Sequence, residues 1–173
     1  MTDAIPLRRR SVELRALLGS ALEPLIAQAR LSDVDLRIEA APGLPVYANI
    51  DAEKIAWAVA TLVGNALRHV RSGSRLRPGG SIRVKLSYDA ARGEIVISVK
   101  DDGSGIPAEK LATLFEHEGG QPHSVGLGLR LIDDVATAHG GTVSVESQRA
   151  SIDQGTTVTL RLPHADAGAP AST

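Results

Sequence analysis

Val99-Lys100-Asp101-Asp102-Gly103-Ser104-Gly105-Ile106-Pro107, followed downstream by Gly126-Leu127-Gly128-Leu129, decides how this chain reads. The apolar run from Glu94 to Val99 predicts a strand that delivers a carboxylate into a turn, whose glycines leave room for a ligand beside the backbone. The second glycine pair opens another predicted helix. Either half alone is a common pattern. In this order, and with Asn65 on an upstream amphipathic helix, they point to a nucleotide pocket.

Working outward, Leu14, Leu17, Leu18, Ala21, Leu22, Leu25 and Ile26 recur at helical spacing, predicting a helix over residues 11–30 with Ser11 as its N-cap. The alternating stretch Leu36 to Ala40 predicts a strand, and Pro42-Gly43-Leu44-Pro45 breaks the chain. Asp51 then caps the strongest helix, which carries Ile55, Ala58, Val59, Leu62, Val63, Ala66, Leu67 and Val70 on one face. Beyond a polar loop from Arg71 to Gly80, two strands at 82–88 and 94–101 form a hairpin, and Pro107 starts a short helix from Ala108 to Phe115. Glu116 to Val125 has no periodicity and reads as a mobile loop. Leu129 to His139 is helical up to Gly140-Gly141, and strands follow at 142–147 and 156–162. This order suits a two-layer α/β sandwich, one mixed sheet covered on one face by helices. The expected organisation is a linker over residues 1–10, one domain over 11–163, and a disordered tail over 164–173.

Asp101 ends a buried strand, where an ionised group is costly without a partner, and a bound ligand can supply one. A carboxylate only accepts hydrogen bonds, so it can take an exocyclic amine such as that of adenine and reject the carbonyl of guanine. An acidic turn before a helix explains Asp101-Asp102-Gly103 equally well in isolation. Gly103 and Gly105 would let the backbone approach the base. Amides around Gly126-Leu127-Gly128, at the start of the Leu129 helix, would face phosphate oxygens. The amide oxygen of Asn65 could ligate Mg²⁺, a hard cation that prefers few protein oxygens plus phosphates, and Arg68 on the same side could meet a phosphate. His69 could line the pocket. His117 and His123 lack the spacing of a metal pair, and His139 reads as a helix end.

Composition removes several alternatives. The chain has no cysteine, hence no disulfide scaffold, thiolate metal site or cysteine nucleophile. A net charge of -1 argues against a nucleic-acid surface, and Arg8-Arg9-Arg10 reads as a solvated helix start. One Trp, two Tyr and one Phe leave too little aromatic surface for stacking on single strands. No run approaches the roughly 20 apolar residues of a membrane span, so no membrane contact is expected and a cytoplasmic location fits. There is no G-x-x-x-x-G-K-[ST] loop.

At these residues the chain resembles the catalytic and ATP-binding domain of bacterial sensor histidine kinases, of the superfamily that includes gyrase, Hsp90 and MutL and shares the Bergerat fold. Asp51 to Val70 is similar to the family's N box, Asp101-Asp102-Gly103-Ser104-Gly105 to its first glycine box and Gly126-Leu127-Gly128-Leu129 to its second. His139-Gly140-Gly141 and Gly155-Thr156-Thr157 match its closing pattern. The resemblance implies that Asn65 binds Mg²⁺, Asp101 reads the adenine amine and Glu116 to Val125 is an ATP lid. It implies an ATP contact set of Asn65, Arg68, His69, Asp101, Gly103, Gly105, Ile106, Gly126, Leu127, Gly128, Leu129 and Thr157, with Asn65 and Arg68 in phosphoryl transfer. The implied partners are a histidine-bearing dimerisation domain and, indirectly, a response regulator.

Departures accompany the matches. Thr61 stands where the kinases usually carry a second asparagine and the ATPase branch its water-activating glutamate, which argues against autonomous hydrolysis. Arg68 and His69 replace a lysine and an aromatic. Phe115 fits the first aromatic of the F box, and no second follows. No histidine lies in residues 1–10, so the phosphoacceptor is expected elsewhere. The alternatives are a non-catalytic ATP-dependent interaction module and a serine-kinase or anti-sigma regulator.

Overall fold

A computed structural model describes residues 5–114, 124–150 and 152–164, with the backbone alone at 124–127. Phe115, His117, the lid expected from Glu116 as far as His123, and the tail from Ala165 lie outside the described residues.

The chain runs β1 (Arg10–Glu13), α1 (Leu14–Leu31), β2 (Asp35–Ala40), β3 (Tyr47–Ile50), α2 (Ala52–His69), β4 (Ser81–Asp89), β5 (Glu94–Asp101), α3 (Ala108–Thr113), α4 (Ser124–Ala138), β6 (Thr142–Gln148) and β7 (Gly155–Pro163). Five strands form one sheet in the order β2-β4-β5-β7-β6, in which β2 pairs parallel to β4 and the other pairs are antiparallel. Period-two alternation turns Ile82, Val84, Leu86, Ile95, Ile97, Val99, Leu160 and Leu162 to one face, all buried with the inner faces of α1, α2 and α4. The opposite face presents exposed residues such as Arg83 and Lys85. A sheet covered on one side is the two-layer sandwich that the sequence leads one to expect.

Two features of the N-terminal third differ from expectation. The first helix begins at Leu14, not Ser11, because Arg10–Glu13 is already committed to a small antiparallel ladder with Tyr47–Ile50. Glu13 is its cap, with carboxylate oxygens accepting from the amides of Arg15 (3.1 Å) and Ala16 (2.8 Å). Residues 5–10, within the segment expected as a linker and a solvated helix start, form a strap tied to the domain. Ile5 packs on the core, the Arg8 amide donates to Asp51, and the Arg9 guanidinium donates to the Ala138 carbonyl (3.2 Å) at the negative end of α4.

Candidate functional site

The apolar stripe of α2 builds one wall of the site. Ile55, Ala58, Val59, Leu62, Val63 and Ala66 bury one face of α2, so its margin presents Thr61, Asn65 and Arg68. Asn65 is half-buried and its carbonyl oxygen accepts from the exposed Arg68 guanidinium at 3.4 Å. A cleft of about 490 Å³ runs along this margin, lined among others by Trp57, Thr61, Asn65, Arg68 and Gly128.

The first glycine motif supplies the floor. Asp101 closes β5 on the helix-facing side of the sheet and is 8% exposed. Its carboxylate accepts from the amide of Gly103 (2.9 Å) and from that of Thr156. Burial raises its pKa above the ordinary carboxylate value, against the opposing pull of those two amides and of nearby His69. Asp102 does a different job, accepting from the Ser81 amide (2.9 Å) and hydroxyl (3.1 Å) to pin the start of β4. Gly103 has no space for a side chain, since a Cβ would lie 2.7 Å from the carbonyl oxygen of His69. That close approach joins the turn to the C-terminal end of α2. Gly105 has a φ of +73° and lies against the backbone of Gln148. Next to it the half-buried Ile106 donates its amide to the Ser147 hydroxyl (2.7 Å).

Three supporting residues, Ser147, Gln154 and Thr156, lie outside the ATP contact set that the resemblance implies. Ser147 accepts from Ile106, donates to the Gly155 carbonyl (3.0 Å) and lies 2.9 Å from the Thr156 hydroxyl. Gln154 donates its side-chain amide to the Gly103 carbonyl at 3.0 Å. Thr156 pairs with Asp101, whereas Thr157 pairs with Lys100 on the outer face of the sheet. Thr157, expected in the pocket, thus lies on the outer face, and Thr156 is the threonine on the helix-facing side beside Asp101. The signal was available in parity: Leu160 and Leu162 are the inward residues of β7, and Thr156 shares their phase.

The second glycine pair also sits differently. Helix α4 opens at Ser124, so Gly126 and Gly128 lie inside its first turns and do not precede it. By helical geometry the four amides without intrahelical partners are those of residues 124–127, which include Gly126 and Leu127 but not Gly128. Gly128 instead serves contact between helices: a Cβ there would meet the Thr61 methyl at 3.7 Å and the Asn65 side-chain nitrogen at 4.0 Å. Leu129 is 4% exposed and anchors the helix in the core. Asn65, Arg68 and Gly128 thus share one cleft, while His69, Asp101, Gly103 and Thr156 meet around the glycine turn, and α2 joins the two groups. Among the described residues no three His, Cys, Asp or Glu side chains converge on a metal position, and no helix is long and apolar enough to cross a membrane.

Residues 50–166 match the family described as histidine kinase-, DNA gyrase B-, and HSP90-like ATPase. Sensor histidine kinase GtrS of Pseudomonas aeruginosa is 32% identical over 156 residues, covering 88% of this chain and 28% of that protein. The signal transduction histidine-protein kinase AfsQ2 of Streptomyces coelicolor is 36% identical over 143 residues, covering 79% and 24%. The chain spans 24–28% of the length of these two relatives. Among solved structures, full-length ShkA in complex with AMPPNP superposes with a TM-score of 0.78 at 25% identity, covering 96% of this chain and 33% of that one. The nucleotide-free catalytic domain of the histidine kinase ThkA superposes with a TM-score of 0.74 at 19% identity, covering 91% and 97%, a likeness of fold. With its mixed five-stranded sheet and helical layer, this chain has the Bergerat fold and belongs to the histidine kinase-, DNA gyrase B- and HSP90-like ATPase family.

Proposed function

We propose that this chain binds ATP with Mg²⁺ and acts as the catalytic domain of a sensor histidine kinase, delivering the γ-phosphate to a histidine on a dimerisation domain. The observation that carries this reading is Asp101, a buried acceptor-only carboxylate at the lip of a glycine turn, on the sheet face that α2 covers. Placed there, it would accept the exocyclic amine of adenine, while Gly103 and Gly105 keep the backbone close to the base. Phosphoryl transfer asks mainly for positioning and charge neutralisation. The free amides at the start of α4 and the Arg68 guanidinium would hold phosphate oxygens.

Asn65 fits the cation's chemistry: a neutral amide oxygen at the cleft margin, weakly engaged at 3.4 Å, that can serve beside phosphate oxygens and water. When bound, Mg²⁺ neutralises phosphate charge. The residues of this chain orient the nucleotide around it. Thr61 turns a methyl toward Gly128 and offers no carboxylate to activate water, which favours transfer to an external nucleophile over hydrolysis.

Calorimetric titration with ATP, with and without Mg²⁺ and with GTP as control, tests the reading. The expected result is ATP binding that excludes GTP and, in Asn65→Ala, loses its Mg²⁺ dependence. Phosphorylation of an added histidine-bearing dimerisation domain then tests transfer. Absence of ATP binding overturns the assignment and leaves a scaffold that acts through protein contacts.

A further inference from the structure

The two helices that carry the phosphate-side groups are locked together at the end remote from those groups. At the near end Gly128 of α4 lies against Thr61 and Asn65 of α2. At the far end the His139 ring, 4% exposed, follows the last residue of α4 and reaches the N-cap of α2. Its Nε2 accepts the backbone amide of Asp51 at 3.0 Å, and its Nδ1–H donates to the Val135 carbonyl at 2.8 Å. These two bonds require one ring nitrogen as acceptor and the other as donor, so the imidazole is neutral and of fixed tautomer. The helices therefore run antiparallel between two fixed points. From Asp51 to Asn65 is roughly 14 residues of helix, about 21 Å at 1.5 Å per residue.

The N-terminal strap meets the same point. Arg8 donates its amide to the Asp51 carboxylate (2.9 Å), which also accepts from the Lys54 amide (3.2 Å) and ammonium (3.1 Å). Arg9 holds the Ala138 carbonyl, one residue before His139. Strand β1 then pairs Arg10 with Ile50, immediately before Asp51. Arg8 and Arg9 thus contact both sides of the junction between α2 and α4.

We propose that His139 is a positioning residue for nucleotide binding: with Asp51 it forms the pivot that sets α4 against α2, to which Arg8 and Arg9 of the strap are tied. This rests on the ATP reading above, because the groups being positioned are the phosphate-side groups of that site. The ring touches no part of the cleft. Its effect travels along α4, one continuous helix whose other end carries the glycine pair.

A graded series tests it. His139→Leu removes both bonds; His139→Asn keeps an amide of too short a reach for the Asp51 amide; His139→Gln places a carbonyl near the position of Nε2. Amide hydrogen exchange at Gly128 and Leu129 in the nucleotide-free protein and ATP affinity are measured for each, beside Val84→Ala, a core variant in β4, two strands away from the β7 strand on which α4 packs. The expected result is exchange at Gly128 and Leu129 at least tenfold faster in the Leu and Asn variants, with ATP affinity lowered by a similar factor and both restored toward wild type by Gln. Val84→Ala loses thermal stability without those changes. If His139→Leu fails to fold, the Asn and Gln pair decides. Exchange and affinity that follow only overall stability, alike for His139 and Val84 variants, overturn the pivot. A wild-type protein that binds no ATP overturns the proposed function instead, and the exchange series still decides whether His139 positions α4.

Discussion

Asp101 and Thr156 stand opposite each other in the β5–β7 register, and the backbone amide of Thr156 donates to the Asp101 carboxylate. With the Gly103 amide this gives a buried acid two fixed donors and no cation in direct contact among the described residues. Burial raises its pKa in the fold, so the ionised form costs stability. For a raised carboxylate, the folded state binds more protons than the unfolded one above the ordinary value of 3.8, and stability falls as pH rises through that window. At neutral pH the group is kept at a cost to the nucleotide-free fold.

Asp101→Asn is accordingly expected to separate binding from folding. The neutral amide removes the buried charge but sets a donor against the adenine amine, so ATP affinity drops by about 1–3 kcal/mol while the melting temperature without nucleotide holds or rises. Calorimetry and thermal unfolding at pH 7 check both halves. Unchanged affinity in Asp101→Asn would sink the adenine assignment.

The two adjacent threonines of β7 make a sharper comparison. Thr156→Val deletes a hydroxyl 2.9 Å from Ser147 and loosens the tie between the sheet and the Ile106 amide, at about 1 kcal/mol of stability with weaker ATP binding. Thr157→Ala changes an outer-face residue and is expected to stay within about 0.5 kcal/mol on both measures. Reversal of that order in a denaturant titration with paired ATP affinities would show that the register has been misread.

How far the sequence carries follows from what is local. The α2 stripe, the strand ending in Asp101 and the glycine turn are each written within one short window, and they put the candidate site residues on identifiable elements without knowledge of any partner strand. What could not be read locally was pairing: β1 and β3 are four residues each, and their ladder displaces the start of α1 from Ser11 to the Glu13 cap. Ser147 and Gln154 support the turn across 41 and 51 residues, with no pattern around them to announce it. Helix α4 starts at Ser124, ahead of the expected Leu129, because glycine is a weak helix former and two glycines in the first turns hide the helical pattern there. His139 ends its helix as the following glycines predict, while its bond to Asp51 spans 88 residues and only the fold discloses it.

Acid should expose the His139–Asp51 junction in two stages. Burial lowers the His139 pKa below its ordinary 6.5, opposed by the bond to Val135 and by Asp51 and reinforced by the charges of Arg9 and Lys54. Because the unfolded state then takes up the proton first, this contribution is complete above pH 6.5 and is lost as pH falls below it. Burial pushes Asp51 up, but the amides of Arg8 and Lys54 and the Lys54 ammonium outweigh it and hold the group at about 2, so its contribution is lost between 3.8 and about 2. Asp101 acts in the opposite sense. Unfolding free energy against pH is therefore expected to decline below 6.5 more steeply in Asp101→Asn than in wild type, and less steeply in His139→Gln. Parallel curves for all three proteins would contradict the assignment.

The strap can be challenged without touching either helix. Arg8→Pro removes the amide that donates to Asp51 and is expected to cost about 1–3 kcal/mol, the penalty of an under-bonded buried carboxylate. Arg9→Ala loses an exposed bond at a helix end and is expected to cost under about 1 kcal/mol. Equilibrium unfolding in urea distinguishes them, and an Arg8→Pro protein as stable as wild type would return residues 5–10 to the status of a linker.

Gly128 offers the cleanest test of the cleft, because folding and binding make opposite demands on it. A Cβ there meets the Thr61 methyl at 3.7 Å and the Asn65 nitrogen at 4.0 Å, ordinary contact that the fold can accommodate. Replacing a helical glycine by alanine gains roughly 0.5–1 kcal/mol from reduced freedom of the unfolded chain, so Gly128→Ala should melt higher than wild type. If phosphate oxygens enter between α4 and Asn65, the same methyl occupies their path and ATP affinity falls, with ADP less affected than ATP because its chain of phosphates is shorter. Higher stability with unaltered ATP affinity would mean that this glycine serves the packing of α4 on α2 alone, and that the phosphates lie nearer the amides of residues 124–127.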